Sequence, residues 1–133
     1  MRRKFVAGNW KMNGSKAFIE SYVSELTSSF PQSESVDVAV FVPFVYLGMV
    51  QGAFSGSDVI VGAQNVSAYE SGAYTGEVSG SMLADVGCQW VLVGHSERRA
   101  LFAESDEAVL AKVSQAIASH LNVVLCVGET LAE

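Results

Sequence analysis

The chain has 133 residues, half of them hydrophobic, and a formal net charge of −6. This composition is typical of a globular domain and excludes an intrinsically disordered chain. The acidic balance leaves no basic surface for a nucleic acid or an anionic membrane, and no apolar run approaches the ~20 residues of a membrane helix. We therefore expect no nucleic-acid or membrane partner, and an anionic ligand must be held by a local site.

The first residues and the cysteines predict a cytoplasmic protein. Segment 1–7 (MRRKFVA) imitates the charged start of a signal peptide, but its apolar stretch stops at Asn9 and is too short for export. Cys88 and Cys126 lie in or beside apolar stretches without a CxxC spacing. This pattern favours buried free thiols and a reducing compartment.

Five short apolar runs recur along the chain, and each is continuous rather than alternating. Strands that are covered on both faces of a parallel sheet have this pattern. The predicted strands are Phe5 to Ala7, Val38 to Val42, Val59 to Ala63, Trp90 to Val93 and Val123 to Val127.

Helical stripes separate these runs. Ser15 can cap a first helix, and Gly87 can end a later one. The spacing from strand to strand matches that of βαβ units, so the alternation predicts an α/β fold. The stripes comprise Phe18, Ile19, Tyr22, Val23 and Leu26; Phe44 to Phe54; Met82 to Val86; and Val109, Leu110, Val113 and Ile117.

The interval between Gln64 and Gly80 is too polar and too rich in glycine for a simple helix. Long ordered loops in compact domains usually carry function. We expect a projecting loop with an interface or active-site role.

Polar side chains follow the first and fourth predicted strands. Asn9 and Lys11 come after the first, and His95 comes where the fourth gives way to a helix. A helix amino terminus aims N–H groups at this position and disfavours a cationic imidazole, so His95 is expected to be a neutral hydrogen-bond donor.

The last residues, Thr130 to Glu133, have the form of a capping box, with a hydroxyl at the N-cap and a carboxylate three residues on. A strand that is covered on both faces needs a following helix. We therefore expect the polypeptide to be cut at the start of the helix after strand five.

Four segments resemble the triose-phosphate isomerase family in their order and spacing: 8–13 (GNWKMN), 75–79 (TGEVS), 93–99 (VGHSERR) and 126–130 (CVGET). The resemblance implies an eight-stranded (β/α) TIM barrel with its active site at the carboxyl ends of the strands. Residues 1–133 would then form the amino-terminal portion of one incomplete barrel domain, with five parallel strands and their intervening helices.

The resemblance also assigns roles. His95 matches the electrophile that polarises the substrate carbonyl, and Lys11 matches the cation that balances the charge of the phosphate and the enediolate. Asn9, Ser96 and Glu97 match substrate-binding positions together with Lys11, and Glu97 also matches a partner that holds Lys11. The implied substrates are dihydroxyacetone phosphate and glyceraldehyde 3-phosphate, without a metal or an organic cofactor.

The projecting loop carries the implied interface of a homodimer. Thr75 matches a threonine that reaches into the active site of the partner subunit, and Gly76 and Glu77 follow it. This match assigns the loop to the dimer interface.

The carboxylate base of the family, its closing loop and its phosphate-binding turns follow later strands, past residue 133. General-base assistance is typically worth ~10² to 10⁴ in rate, so the chain by itself is expected to be inactive. Glu129 lies just beyond the fifth strand, but its spacing does not aim it at His95. Unpaired strand edges would favour self-association, or association with a separate carboxyl-terminal half.

Other interpretations remain open at this point. His95 could be a structural histidine, Lys11 a solvated surface lysine, and Glu97 a salt-bridge partner of Arg98 and Arg99. The chain could also be a non-catalytic binding module, or another barrel enzyme such as an aldolase. A Schiff-base aldolase would need its lysine within a strand, whereas Lys11 follows one.

Overall fold

The computed structural model describes residues 2–29, 35–129, 131 and 132, in which strands and helices alternate. Within these residues the elements are β1 (Lys4–Asn9), α1 (Lys16–Ser29), β2 (Val36–Val42), α2 (Phe44–Ala53), β3 (Val59–Ala63), α3 (Gly80–Asp85), β4 (Trp90–Val93), α4 (Ser96–Leu101), α5 (Asp106–Ala118) and β5 (Asn122–Leu125).

The strands form one parallel sheet in sequence order, β1-β2-β3-β4-β5. All five predicted strands are present, although their ends differ from the predicted ones. The fifth strand ends at Leu125 rather than Val127, because Leu125 pairs with Val93, the last residue of β4. Gly94 then turns away with φ +74°, so the hydrogen bond from the Cys126 amide to the Val93 carbonyl oxygen, at 2.9 Å, is the last one between the described residues of the two segments.

The sheet is strongly curled. Phe5 on β1 stacks on Trp90 on β4, with ring centroids 4.9 Å apart. Neighbouring strands lie about 4.8 Å apart, so two intervening strands would separate these rings by about 14 Å in a flat sheet. Phe5 and Trp90 therefore meet across the concave face of a half-barrel, and the predicted α/β architecture is confirmed.

The helices pack on the convex face, and a smaller apolar cluster fills the concave face. The convex core contains the largest share of the buried side chains, among them Ile19, Leu83 and Val91. The concave cluster is built around Phe41, which is fully buried. Gly62 on β3 makes room for it, since a Cβ atom there would overlap the Phe41 ring and lie 3.0 Å from the Trp90 carbonyl oxygen.

The predicted cover on both faces is wrong for the edge strands of this sheet. Residues 4–7 of β1 are exposed, and both ends of β5 are exposed. Each of these strands has a single neighbour in the described sheet, whereas β3 and most of β4 lie between two strands and are buried. A continuous apolar run therefore predicts that a strand is present, but not that both of its faces are buried.

The helix boundaries agree with the capping signals. The Phe18 amide donates to Ser15 Oγ at 3.1 Å, which confirms the predicted cap of α1. Gly87 follows α3 with φ +84° and donates to the Ala84 carbonyl at 3.0 Å, as expected of a residue that ends a helix. The predicted capping box cannot be placed in this way, since Thr130 and Glu133 lie outside the described residues.

The two cysteines are both free, but they differ in burial. Cys88 is buried, with its Sγ atom 3.1 Å from the Trp90 carbonyl oxygen, and burial raises its pKa. Cys126 is only half-buried, and burial raises its pKa as well. The prediction of buried free thiols is therefore met in full by Cys88 and in part by Cys126. Across the described ranges, no helix has the length and apolar character needed to cross a bilayer.

Candidate active site

The segment after β1 adopts an uncommon backbone conformation. Lys11 has φ +52°, in the left-handed region that costs a residue other than glycine on the order of 1–3 kcal/mol. The Lys11 amide donates to the Asn9 side-chain oxygen at 2.9 Å, which closes a short turn around the strand end. Trp10 between them is buried against the rings of Phe18 and Tyr22 and anchors the segment. The sequence therefore folds locally so that the Lys11 side chain projects from a fixed turn.

A side chain that directly follows β3 secures the same turn. The Gln64 amide nitrogen lies 3.0 Å from Asn9 Oδ1, 2.9 Å from the Lys11 carbonyl oxygen and 3.1 Å from the Phe41 carbonyl oxygen. Three neighbouring strands therefore meet in one hydrogen-bonded group at their carboxyl ends.

His95 lies at the carboxyl end of β4 and is the N-cap residue of α4. Its Nδ1 atom accepts a hydrogen bond from the Glu97 backbone N–H at 3.2 Å. A ring nitrogen that accepts a hydrogen bond carries no proton, so this contact favours the imidazole tautomer with its N–H on Nε2. Because α4 has only six residues, this hydrogen bond rather than a long helix holds the ring.

Glu97 joins the two strand ends. The Lys11 ammonium lies 2.7 Å from Glu97 Oε1, and Glu97 Oε2 lies 3.6 Å from His95 Nδ1. The hydrogen bond from Lys11 lowers the pKa of the Glu97 carboxyl. The predicted Lys11–Glu97 contact is therefore present, and lysine, carboxylate and imidazole form one group.

The alternative pairing of Glu97 with the two arginines is wrong. Arg98 donates to Glu104 Oε2 at 2.8 Å, and Arg99 donates to the Gly94 carbonyl oxygen at 2.9 Å and to Asp106 at 2.7 Å. Both arginines point away from Glu97 and tie α4 to the segment that follows it.

A buried ion cluster supports α4 from behind. Glu104, with 4% of its side chain exposed, accepts from both Arg98 and Lys112, the latter at 2.7 Å. Lys112 also donates to Asn65 at 2.9 Å, at the root of the projecting loop. Burial raises the pKa of Glu104, but the hydrogen bonds from Lys112 and Arg98 outweigh it and hold the pKa below its usual value. The cluster fixes the base of α4 against α5 and the loop.

A cavity of about 740 Å³ opens beside His95. Its lining includes Ser96, Arg99, Cys126 and Glu129 together with His95. Ser96 is exposed at the first position of α4. Glu129 also lines this cavity, although its spacing in the sequence did not predict a position near His95.

The projecting loop holds its own shape. The Ser67 amide donates to the Val78 carbonyl at 2.8 Å across the stem, and the rings of Tyr69 and Tyr74 stack at 3.8 Å. Thr75, Gly76 and Glu77 follow this stack and are exposed. In the described part of the chain, no hydrogen bond or ion pair connects these three residues to Lys11, Glu97 or His95.

Comparison with known proteins decides the family. A statistical model of triosephosphate isomerase sequences matches residues 4–133. The chain belongs to the triosephosphate isomerase family. Three proteins named triosephosphate isomerase are similar over the whole chain: that of Hahella chejuensis is 53% identical, that of Thiobacillus denitrificans 54% and that of Marinobacter nauticus 54%. These alignments cover 53%, 52% and 53% of the three relatives, so the chain spans about half their length.

Among the residues that the triosephosphate isomerase motifs single out, Asn9, Lys11, His95 and Glu97 come together. Ser96 lines the cavity beside His95, whereas Asn9, Lys11 and Glu97 are not part of that lining. The loop residues that begin at Thr75 stand apart. The roles assigned to all of these residues stay predictions.

Sequence reasoning missed Gln64 and the Glu104–Lys112–Asn65 cluster. These residues make contacts between segments that are far apart in the chain, and no local sequence pattern predicts contacts of this kind. The one available signal was a polar glutamine directly after a buried strand, at the same sheet edge as Asn9 and Lys11.

Proposed function

We propose that this chain supplies the electrophilic and charge-balancing half of a triosephosphate isomerase active site, within one incomplete barrel domain that spans residues 1–133. The observation that carries the proposal is the 2.7 Å contact between the Lys11 ammonium and the Glu97 carboxylate. It joins the end of β1 to Glu97, whose backbone N–H also donates to His95 Nδ1. Family membership supplies the reaction class, the interconversion of dihydroxyacetone phosphate and glyceraldehyde 3-phosphate.

His95 donates from Nε2 to the carbonyl oxygen of the substrate. As a proton leaves the carbon beside the carbonyl, negative charge develops on that oxygen, and a fixed N–H donor stabilises the charge without having to reorganise. The same imidazole can then pass a proton between the two oxygens of the enediol. The Glu97 N–H that holds Nδ1 supports this assignment, since it leaves Nε2 as the donor.

Lys11 balances the negative charge of the phosphate and of the enediolate. Asn9, which orders the Lys11 backbone, Ser96, which lines the cavity beside His95, and Glu97 complete the substrate-binding set. Glu97 also holds the ammonium in place through its ion pair. These assignments require no metal and no organic cofactor.

The base that moves the proton between carbons is expected outside these 133 residues. Without it, the chain is expected to be inactive by itself. Glu129 is the resident carboxylate on the His95 cavity, and it is the residue to replace if the purified chain turns over substrate.

The loop that carries Thr75, Gly76 and Glu77 is proposed to dock into a second subunit, as in a homodimer, in a cytoplasmic setting. Its exposure and its internal order support this role. The edge strands offer a competing mode of association, because Val6 and Leu125 are exposed apolar residues on β1 and β5. Self-association of the half-barrel, or capture of a separate carboxyl-terminal half, follows from these edges.

An isomerase assay tests the proposal. The purified chain is assayed alone and mixed with a carboxyl-terminal half made from the Thiobacillus denitrificans relative. We expect turnover only in the mixture. Turnover by the chain alone, retained in a Glu129→Gln variant, would overturn the claim that further residues are required; its loss in that variant would instead identify Glu129 as the base.

The oligomeric state is tested by mass measurement after size exclusion. We expect species larger than one chain at micromolar concentration. A folded monomer under these conditions would contradict association through the edges or the loop.

A further inference from the structure

We propose that Gln64 is a positioning residue that determines where the Lys11 ammonium lies. This inference rests on the role proposed above for Lys11 and extends it to a residue that no motif of the chain singles out.

The contacts of Gln64 are all made by one amide group. Its nitrogen reaches Asn9 Oδ1, the Lys11 carbonyl oxygen and the Phe41 carbonyl oxygen within 3.1 Å. These acceptors belong to the ends of β1 and β2, and Gln64 itself follows β3. The Gln64 amide therefore fixes the Lys11 backbone relative to three strands of the sheet, and not only relative to β1.

The hydrogen bonds form a closed ring. Asn9 Oδ1 accepts from Gln64 and from the Lys11 amide, and the Lys11 carbonyl accepts from Gln64 in turn. The ring encloses the residue with the left-handed backbone conformation. Without Gln64, the Lys11 carbonyl would lose its partner and the backbone would be free to relax to a more common region.

Such a relaxation would redirect the Lys11 side chain, which is 54% exposed. Exposed ion pairs are weak, so the contact with Glu97 is not enough by itself to fix the position of the ammonium. The backbone direction therefore decides whether Lys11 meets Glu97, and Gln64 sets that direction.

The chemistry of the position favours glutamine. All three partners are oxygen acceptors, so the side chain must donate and must not carry negative charge. A methionine has a similar length and no donor. A glutamate has the same shape, but an ionised carboxylate has no N–H or O–H donor and would face three oxygen acceptors.

The test is Gln64→Met in the full 133-residue chain, with Gln89→Met as the matched control. Gln89 is exposed and precedes β4, at the opposite end of the sheet. The readout is the Glu97 carboxyl, followed by NMR titration, because its pKa is lowered by Lys11 and His95 is the other titratable group that faces it. We expect Gln64→Met to raise the Glu97 pKa toward its ordinary value and the control to leave it unchanged.

An unchanged Glu97 pKa in a folded Gln64→Met chain would overturn the proposal, even if that chain were less stable. If Gln64→Met does not fold, Gln64→Glu replaces it. The carboxyl at position 64 then faces three oxygen acceptors, and the Lys11–Glu97 pairing should weaken as this carboxyl ionises. A pairing that does not respond to this ionisation would equally overturn the proposal.

The NMR readout does not depend on catalysis, so it can succeed or fail independently of the proposed function. Where the mixed halves are active, the rate offers a second readout, since a displacement of about 1 Å at a catalytic group can cost on the order of 100-fold. A fall in kcat in the Gln64→Met mixture, with the Gln89→Met mixture unchanged, would agree with displaced Lys11. A kcat equal to that of the parent mixture would contradict it.

Discussion

The Lys11 ammonium and the Glu97 carboxylate lie 2.7 Å apart and join the turn after β1 to the first turn of α4. The contact connects two strand ends that are not neighbours in the sheet. It therefore depends on the curl that also brings Phe5 to Trp90.

Replacing Lys11 tests this contact. Lys11→Met removes the hydrogen bond that lowers the pKa of Glu97, so that pKa should rise. Because the carboxyl has a depressed pKa in the folded state, the pairing is present at neutral pH and is lost as the pH falls through that pKa. A carbon-detected NMR titration measures the shift, with Lys16→Met on α1 as the control. An equal Glu97 pKa in both variants would contradict the contact.

The buried ion cluster makes a prediction about stability. Glu104→Gln leaves the buried Lys112 ammonium without its carboxylate, and breaking a buried pair costs about 3–5 kcal/mol. Urea unfolding should show a loss of this order, whereas Glu20→Gln on the exposed face of α1 should stay within about 0.5 kcal/mol.

The same cluster predicts a dependence on acid. The pKa of Glu104 is lowered in the folded state, so its contribution is present above the unfolded pKa and is lost as the pH falls through the folded one. The parent chain should therefore lose more stability than Glu104→Gln on acidification. Parallel losses in the two chains would count against the cluster.

Two glycines are predicted to respond in opposite ways to substitution by alanine. Gly62→Ala would place a Cβ atom against the Phe41 ring and the Trp90 carbonyl, and overpacking of this kind costs about 1–3 kcal/mol. Gly48 in α2 has open space around its Cβ position, and Gly48→Ala should stabilise the helix by about 0.5–1 kcal/mol. Thermal unfolding of both variants checks the signs; stabilisation by Gly62→Ala would refute the packing described for β3.

The projecting loop is expected to depend on its tyrosine pair. Tyr69→Ala removes the stack on Tyr74, and aromatic pairs are worth about 0.5–1.5 kcal/mol. Hydrogen exchange of the loop amides should then become faster. Tyr69→Phe keeps the ring and should behave as the parent chain does, and equal exchange in Tyr69→Ala and Tyr69→Phe would show that the stack does not order the loop.

Much of the fold was readable from the sequence because a parallel sheet buries its strands as continuous apolar runs. The runs at Val59 and Trp90 predicted β3 and β4 to the residue. The run that begins at Val123 predicted a strand that is too long at its carboxyl end. A strand ends where the neighbouring strand ends, and hydropathy carries no information about that neighbour. Exposure along β1 was missed for the same reason.

The site was readable only in part. His95, Lys11 and Asn9 follow apolar runs, and parallel strands bring such residues to one edge of a sheet. The motif resemblance added Glu97. Gln64 and Lys112 were not readable, since their function lies in hydrogen bonds to residues far away in sequence.

The most direct measurement compares the two histidines of the chain in the mixed isomerase assay. His95→Ala removes the proposed Nε2 donor, and loss of one such donor costs about 10²–10³ in kcat. His120→Ala alters the other histidine, which is exposed after α5. We expect a fall of at least about 100-fold for His95→Ala and an unchanged rate for His120→Ala; equal rates for the two mixtures would contradict the proposed role of His95.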